Sequence, residues 1–376
     1  MMDLPENGPK WQLGRRFFPI LVTVAIGLNV AVSSWFAVSA WEERLAKADF
    51  INVASDYAAV LQNGLDQYLS KLVAVRAFYD ASVKVDPDEF DLFTSRLLRG
   101  QAALMRVTWS PRVTGDDRAV FEAKARAEGI AGFAIKTWAA RGTLSPAPPQ
   151  AEYFPVLYST RLSKSVSALG VDLTSEPMRS QAIERARDGD RMATAPDVII
   201  RGTDGERGFF VTLPVYRRGM SQISADDRRR NTLGVLSGTF RTATVIDAIL
   251  ATKQLPRNVD LYLYPVDAGP DATPDLSRTL TQQDASIAAK PLAETTRALN
   301  LSTVLKAGDA SWKLVVTPAE GRLTGFYRAW LVLLFVALAF GAVLAYMWAS
   351  VRNALRLEQV QAGGGACAHG PADEPC

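Results

Sequence analysis

Two long stretches of the chain carry no charged side chain. The first covers residues 17–40 and the second covers residues 329–351. An α-helix of about 22 residues rises about 33 Å, which is enough to cross the hydrocarbon core of a bilayer. Tryptophan side chains, which favour the membrane–water interface, lie near the ends of both stretches at Trp35, Trp41, Trp330 and Trp348. We therefore predict two transmembrane helices.

The basic residues predict the orientation of these helices. Lys10, Arg15 and Arg16 precede the first one, and basic residues favour the cytoplasmic side. Residues 1–16 and the tail 352–376 are then cytoplasmic, and residues 41–328 are exported. The alternative is a signal peptide cleaved after Ala40, but the apolar run is longer than the roughly 7–15 residues usual for a secretory signal. This length favours a retained anchor.

The exported segment opens with apolar residues at helical spacing. They recur every three or four positions from Leu45 to Phe78, which predicts a stalk helix over residues 41–85. Asp86, Pro87 and Glu89 then form the N-cap, N1 and capping-box pattern of a second helix.

Short helical and strand patterns alternate beyond this point, which predicts a mixed α/β segment of the α+β kind. Strands are expected at 104–113, 133–138, 153–159, 209–217, 233–240, 259–266 and 311–317. The strands at 153–159 and 209–217 each contain a proline, Pro155 or Pro214, which predicts an edge position or a bulge. We expect a second unit to begin after the polar loop 221–230, so that the strand at 233–240 is its first. No internal sequence repeat is visible.

Composition excludes several kinds of chemistry. The only histidine is His369, and the two cysteines, Cys367 and Cys376, lie in the same tail. A Ser-His-Asp triad, a multi-histidine metal site and a disulfide framework therefore cannot be built in the exported segment. The 42 basic and 39 acidic residues nearly balance, which argues against nucleic-acid binding. We expect no cofactor and no metal.

A series of residues in the exported segment resembles the CHASE domain, the extracytoplasmic sensor of bacterial receptors and of plant cytokinin-receptor histidine kinases. The residues that carry the resemblance are Arg112-Val113, Arg118, Phe121-Glu122, Tyr153-Phe154-Pro155-Val156-x-Tyr158, Gly170-x-Asp172, Pro177-x-Arg179 and Leu213-Pro214-Val215-Tyr216. The similarity covers roughly residues 90–250, and one apolar span on each side also fits such receptors.

The resemblance implies a fold and a location. The fold is a long stalk helix followed by two tandem PAS-like subdomains, bracketed by two transmembrane helices. Residues 86–230 would form a membrane-distal subdomain that binds a small ligand, and residues 231–328 a membrane-proximal one. The location would be the inner membrane of a bacterium, with residues 41–328 in the periplasm.

The resemblance also suggests ligand-binding residues, namely Glu152, Tyr153, Tyr158, Phe210 and Thr212. Relatives that bind cytokinin have an acidic side chain just before the Tyr-x-Pro-Val strand, where this chain has Ala151 followed by Glu152; this departure argues against a purine ligand. Each aromatic ring could instead be a core residue, and Thr212 a half-buried strand residue. Asp172 and Arg179 could equally form an ion pair between a loop and a helix.

Receptors of this type carry a histidine kinase, a diguanylate cyclase or a similar output after the second span. Only 25 residues, 352–376, follow it in this sequence, without a kinase or cyclase signature. We therefore expect no catalytic activity, a homodimer along the stalk helix, and a missing output domain or a separate cytoplasmic signalling partner. The alternative is a two-span regulator of polysaccharide chain length, whose exported part would be dominated by long helices.

Overall fold

The computed structural model describes residues 10–100, 104–139, 143–160, 168–200, 205–253, 255–256, 258–280, 286–319 and 327–365. Its contacts separate two compact units. One unit contains the chain up to Asp49 and from Gly321 onward, and the other contains Phe50–Glu320. Helix α1 contributes residues to both units.

The described residues contain eight α-helices and thirteen strands. The helices are α1 (Lys10–Ala81), α2 (Pro87–Leu97), α3 (Arg118–Ala127), α4 (Pro177–Gly189), α5 (Ala225–Asn231), α6 (Thr242–Ala251), α7 (Leu292–Arg297) and α8 (Tyr327–Gly365). The strands are β1 (Leu104–Pro111), β2 (Val113–Thr114), β3 (Lys136–Trp138), β4 (Leu144–Pro146), β5 (Glu152–Tyr153), β6 (Tyr158–Ser159), β7 (Ala193–Ile199), β8 (Arg207–Tyr216), β9 (Thr232–Arg241), β10 (Val259–Pro265), β11 (Leu276–Leu280), β12 (Leu301–Ala307) and β13 (Ala310–Pro318). A 3₁₀ turn, Leu173–Ser175, precedes α4.

The first unit contains the two apolar helices. The most apolar 18-residue segments of α1 and α8 have mean hydropathies of 1.9 and 2.4, and 6% or less of either segment is buried. Large apolar side chains such as Leu28 and Phe335 are 66% and 71% exposed. So much exposed apolar surface on a long helix is stable in lipid rather than in water. Both helices are long and apolar enough to span a membrane.

The second unit contains two antiparallel sheets with the same winding. The first sheet has the strand order β6-β1-β9-β8-β7, and the second has β11-β10-β13-β12. In each, the first strand of the sheet lies between the second and the last. The two sheets are therefore tandem PAS-like units, although the sequence shows no repeat. The short pairs β2-β5 and β3-β4 complete the described strands.

The part of α1 within the second unit forms the spine of the main core. Leu61 and Leu72 are fully buried there and belong to one apolar cluster that includes Val107 and Phe240 of the first sheet and Val316 of the second. Gly238 on β9 allows the close approach, because a Cβ at that position would lie 2.8 Å from Leu72. We call this side of the first sheet its α1 face.

The opposite side of the first sheet packs against α4. Phe210 and Val235 cluster there with Ala182 and Ile183 of that helix. We call this side the α4 face. Because side chains alternate along a strand, residues two apart on β1, β8 and β9 share a face.

The structure corrects the expected boundary after residue 230. The strand expected at 233–240 is β9, and it pairs with β1 on one side and β8 on the other, in the centre of the first sheet. The polar segment before it connects two neighbouring antiparallel strands and contains α5. A polar loop marks a turn in either case, so composition could not distinguish a hairpin connection from a domain boundary.

The two strands that contain proline differ from one another. The strand expected at 153–159 is divided into β5, which pairs with β2, and β6, which pairs with β1. The strand expected at 209–217 is β8, an interior strand. Its pairing with β7 stops at Thr212, so at Pro214 the only strand partner is β9. The proline therefore occupies a position that is locally an edge, where its missing N–H costs nothing.

Candidate functional site

A row of hydroxyl groups crosses the α4 face of the first sheet. Thr108 on β1 lies opposite Ser237 on β9, which in turn lies opposite Thr212 on β8. All three residues are at least 95% buried. Burying a polar group costs free energy unless the group is hydrogen-bonded. The three buried hydroxyl groups in the middle of this sheet therefore need hydrogen-bond partners.

The hydroxyl groups in this row are partly satisfied by one another. Ser237 donates from its Oγ to Thr212 Oγ1 at 3.1 Å. Thr212 donates from Oγ1 to the carbonyl oxygen of Leu236 at 3.3 Å. Both donor–acceptor distances are long for hydrogen bonds between oxygen atoms. Rotating these hydroxyl groups toward a new partner would therefore cost little hydrogen-bond free energy.

Two arginines lie beside this row. Arg106 is two residues before Thr108 on β1 and belongs to the next register row, opposite Thr239. Arg179 on α4 places its guanidinium carbon 5.1 Å from the ring centroid of Phe210, a cation–π arrangement. Arg179 also pairs with Glu176 at 2.8 Å, and its side chain is only 12% exposed.

The two guanidinium groups influence each other. Burial lowers the pKa of Arg106, and the positive charge of Arg179 lowers it further. Both effects disfavour the charged form of a side chain that nonetheless stays charged at neutral pH. The α4 face therefore combines hydroxyl groups, one aromatic ring and positive charge at a single place.

The structure brings together only two of the five residues suggested from sequence. Phe210 and Thr212 are on β8 and face α4. Tyr158 lies opposite Trp109 on β6, and its ring is 5.8 Å from that of Phe90, so it packs with the cluster on the α1 face. It is therefore on the other side of the sheet from Thr212.

Glu152 and Tyr153 occupy a third location, on β5. Glu152 accepts hydrogen bonds from Arg112 at 2.7 Å and Arg187 at 2.6 Å. Burial opposes its ionisation, but these two arginines outweigh that effect and lower the pKa of Glu152. Tyr153 is buried, and its hydroxyl donates to the carbonyl oxygen of Pro148 at 2.8 Å. Both side chains thus form hydrogen bonds with other residues of the protein.

The possible ion pair between Asp172 and Arg179 is replaced by other contacts. Asp172 is fully buried and accepts hydrogen bonds from the backbone N–H groups of Phe154 and Thr174. Arg179 pairs with Glu176. Asp172 therefore fixes the start of the 3₁₀ turn and joins it to the chain after β5.

Two surface depressions lie away from the hydroxyl row. A cleft of about 180 Å³ is lined by residues of the first sheet and α6, including Asp197, Arg207 and Arg241, and by Asp275, which lies just before β11. A more open groove of about 560 Å³ lies on the second sheet beside α7, with Arg297 and Lys313. Among the described residues, no group of three or more His, Cys, Asp or Glu could hold a metal ion.

Sequence reasoning missed Arg106, Thr108 and Ser237. The signal was present in strand β1, where polar Arg106, Thr108 and Ser110 alternate with apolar Val107 and Trp109. That alternation indicates a strand with one polar face. Its polar face is buried rather than solvated, which alternation alone cannot reveal.

Comparison with known proteins places the segment in a family. Residues 83–274 match the model of the CHASE domain. Probable histidine kinase 4 of Oryza sativa subsp. japonica is 27% identical over 283 residues, which cover 69% of this chain and 26% of that protein. Hybrid signal transduction histidine kinase A of Dictyostelium discoideum is 22% identical over 268 residues, 69% of this chain and 12% of that protein. The chain thus spans only 12% and 26% of the length of these relatives.

Solved structures of sensory domains are also similar. The ligand-binding domain of the Pseudomonas aeruginosa PAO1 chemoreceptor PctC covers 72% of this chain and 98% of its own, with 15% identity and a TM-score of 0.39. That of the Campylobacter jejuni chemoreceptor Tlp3 covers 76% and 96%, with 9% identity and a TM-score of 0.42.

The CHASE match decides between the two classes considered from sequence. A regulator of polysaccharide chain length was expected to be dominated by long helices in its exported part, whereas Phe50–Glu320 contains thirteen strands among its described residues. Because the matched segment, residues 83–274, covers just over half of the 376 residues, the chain belongs to the CHASE domain family and carries an extracellular sensor domain together with two apolar helices that anchor it in a membrane.

Proposed function

We propose that this protein is a receptor of the bacterial inner membrane whose periplasmic segment, residues 41–328, binds a small ligand and transmits a conformational signal. The observation that carries the proposal is the buried hydroxyl row Thr108, Ser237 and Thr212 on the α4 face. A few convergent polar groups in an apolar surrounding are the usual composition of a small-molecule site. Phe210, in the same face, supplies an aromatic surface for the ligand.

Signal transmission follows from unequal binding. A ligand that binds one arrangement of the sheet and α4 more tightly than another shifts their populations by the difference in binding free energy. Helix α1 packs on the opposite face of the same sheet and also contributes residues to the unit that contains the apolar helices. We propose that α1 carries the shift to the cytoplasmic side.

We assign sensing, and no catalysis, to these residues. The curated relatives are histidine kinases that this chain matches over a minor part of their length, and the single histidine of the sequence is His369. The output would come from a module outside these 376 residues or from a separate cytoplasmic partner.

We further propose a parallel homodimer along α1. Solvent-exposed residues follow one another at spacings of three and four on this helix, at Asn52, Asp56, Ala59, Asn63, Asp66, Ser70, Val73 and Ala77. Two parallel helices that pack side by side meet along residues at this spacing, and Ala59, Val73 and Ala77 supply the apolar side chains of the stripe. Sedimentation of the full chain in detergent tests this point, and a monomer at micromolar concentration would contradict it.

Cysteine labelling tests the orientation. Gln222→Cys, in a chain whose Cys367 and Cys376 are changed to Ser, places a thiol in the exposed segment before α5. We expect a charged maleimide that crosses only the outer membrane to label it in intact cells. In the wild-type chain, which keeps Cys367 and Cys376, these tail cysteines should react only after the inner membrane is permeabilised. The opposite pattern would reject the proposed orientation.

Ligand binding is tested on the full chain in lipid nanodiscs. A library of small metabolites is screened by the shift in thermal unfolding midpoint, and compounds that shift it are titrated by calorimetry. We expect Thr212→Val to weaken binding of such a compound about tenfold, since a polar contact is worth about 1–2 kcal/mol. Thr303→Val on β12 is the matched control and should leave binding unchanged. A library without any stabilising compound, or full affinity in Thr212→Val, would reject the site.

A further inference from the structure

The second sheet has a polar groove on the side that faces away from α1. On that side, two rows of residues cross β10, β13 and β12 in turn, Tyr264–Lys313–Val304 and Tyr262–Val315–Ser302. Val316, the neighbour of Val315 on β13, belongs to the apolar cluster that contains α1. Because side chains alternate along a strand, the two rows lie on the opposite face.

Helix α7 covers only part of this face. Leu292 of α7 belongs to a small buried cluster with Val315 and the two tyrosines of β10. On β12, by contrast, Ser302 is exposed and Val304 is 45% exposed. The groove of about 560 Å³ lies between α7 and β12, and Lys313 lines it from the strand between them. We call it the α7 groove.

Two of the residues that line the α7 groove are charged, and both are basic. They are Arg297 at the end of α7, which is exposed, and Lys313, which is half-buried. Among the residues that the structure describes, no carboxylate lies within ion-pair distance of either cation. Glu294 on α7 pairs with Lys290 at 3.9 Å instead, and Asp271, beside the groove in sequence, is exposed. The groove therefore has a net positive charge.

The cleft beside α6 shows the contrasting arrangement. There Arg207 pairs with Asp197 at 2.5 Å, and Arg241 pairs with Glu206 at 2.7 Å. Each guanidinium of that cleft has a carboxylate partner within the protein. In the α7 groove, the hydroxyl group of Ser302 lies beside the cations, and a hydroxyl can donate to an anion but does not neutralise a cation.

The α7 groove has the same position on the second sheet as the α4 face has on the first. Helix α1 packs on one face of both sheets, and a later helix, α4 or α7, packs on the other. On β13, Val315 faces α7 and the adjacent Val316 faces α1. A molecule bound in the groove therefore lies one strand's thickness from the helix that we propose carries the signal.

We propose that the α7 groove is a second ligand site of the sensor, in which Arg297 and Lys313 together bind the carboxylate or phosphate group of a small anionic molecule. Arg297 supplies a planar fork of N–H donors, and Lys313 supplies a compact positive charge. Leu292 and Pro270 provide apolar surface for the rest of the molecule. The site is separate from the α4 face, so the inference goes beyond the proposed function and does not depend on it.

The experiment uses the full chain in nanodiscs of zwitterionic lipid, so that no anionic lipid competes. The probes are acetate, benzoate and phenyl phosphate, compared with the neutral acetamide, benzamide and phenol. Calorimetry compares the wild type with Lys313→Gln, Lys313→Arg and Arg297→Gln. The matched controls, Lys124→Gln and Arg217→Gln, change an exposed lysine and an exposed arginine outside the groove. Thermal unfolding verifies that each variant is folded.

We expect at least one anionic probe to bind, and its neutral counterpart to bind about tenfold more weakly or worse. Lys313→Gln and Arg297→Gln should each weaken binding by about tenfold or more, Lys313→Arg by less, and the two controls not at all. Affinity should fall with added salt. The bound probe should slow deuterium exchange in α7 and β12. Preference for the carboxylates or for phenyl phosphate identifies which oxyacid is bound.

Three results would overturn the inference. Equal affinity for the two members of every probe pair would show that charge is not recognised. A probe that keeps its affinity in Lys313→Gln and Arg297→Gln but loses it in Thr212→Val is bound on the α4 face, and the sensor function stands. If no probe binds at millimolar concentration, the groove is not an anion site, whereas the metabolite library still tests the α4 face separately.

Discussion

The Asp309 carboxylate joins the two sheets of the sensor unit through Arg185. Its Oδ2 accepts a hydrogen bond from Arg185 Nε at 2.8 Å, and its Oδ1 accepts one from the backbone N–H of Thr194 at 2.7 Å. Asp309 lies in the turn between β12 and β13, whereas Arg185 and Thr194 belong to α4 and β7. Because α4 also carries Arg179, this contact connects the candidate ligand site with the second sheet.

Replacing Asp309 by Ala should weaken that connection. The change removes two hydrogen bonds to an acid whose side chain is 17% exposed. A hydrogen bond to a charged group contributes about 1.5–3 kcal/mol to stability. We expect the free energy of unfolding to fall by about 1–3 kcal/mol and the Thr194 amide to exchange faster with deuterium. Thermal unfolding of the full chain in detergent and mass-spectrometric exchange measure the two effects.

Asp226→Ala is the control for this change. Asp226 also pairs with an arginine, Arg229, but its side chain is 73% exposed, and exposed pairs contribute about 0–1 kcal/mol. Equal effects of the two changes, or an unchanged Thr194 amide in Asp309→Ala, would contradict the proposed connection between the sheets.

The sequence predicted the local elements well because local signals determine them. The capping box at Asp86 and Glu89 is present in both directions, with the Glu89 N–H donating to Asp86 Oδ1 at 2.8 Å. The strand expected at 233–240 is present as β9, but its assignment to the second unit was wrong, because its pairing with β1 and β8 is decided by partners far away in the chain. Only Phe210 and Thr212 of the site were predicted, for the same reason. Arg106 and Arg179 are remote in sequence, and their proximity depends on how α4 crosses the sheet.

Gly170, one of the residues that carry the family resemblance, occupies a position where both the backbone conformation and the available space require glycine. Its φ is +83°, and a Cβ there would lie 2.2 Å from the carbonyl oxygen of Ala134. Gly129 has a φ of +99° with open space around the same position. Gly129→Ala should therefore cost about 1–2 kcal/mol for the left-handed backbone alone. Gly170→Ala should cost about 1–3 kcal/mol more because of the clash. Equal unfolding midpoints for the two variants would show that the contact with Ala134 is relaxed at no cost.

Leu72 tests the role of α1 as the spine of the core. Its side chain is fully buried between the helix and β9, so Leu72→Ala should lower the free energy of unfolding by about 2–5 kcal/mol. Ile51 lies on the same helix outside the stripe proposed for the homodimer and is 44% exposed, and Ile51→Ala should change the free energy of unfolding by about 0.5 kcal/mol or less. Denaturant titration of both variants in the full chain decides the matter. A similar loss in both would mean that the helix is not held against the sheet through this face.

The carboxylate between Arg112 and Arg187 makes stability depend on pH. The pKa of Glu152 is lowered in the folded protein because the hydrogen bonds from both arginines outweigh the effect of burial. A group with a lowered folded pKa stabilises the fold above its unfolded pKa, about 4.3 for glutamate, and loses this contribution as the pH falls through the folded value. Glu152→Gln should thus lower the free energy of unfolding by about 1–3 kcal/mol at pH 7.

The difference between the wild type and Glu152→Gln should begin to shrink as the pH falls below about 4.3, where the carboxyl of the unfolded chain takes up a proton, and should be smallest below the lowered pKa of the folded carboxyl. Unfolding midpoints at pH 7, 5, 4 and 3 measure this convergence. Glu184→Gln, on the exposed side of α4, is the control and should follow the wild type at every pH. A gap that stays constant between pH 7 and pH 3 would mean that the charge of Glu152 contributes nothing and that only its shape matters at the junction of β5 and α4.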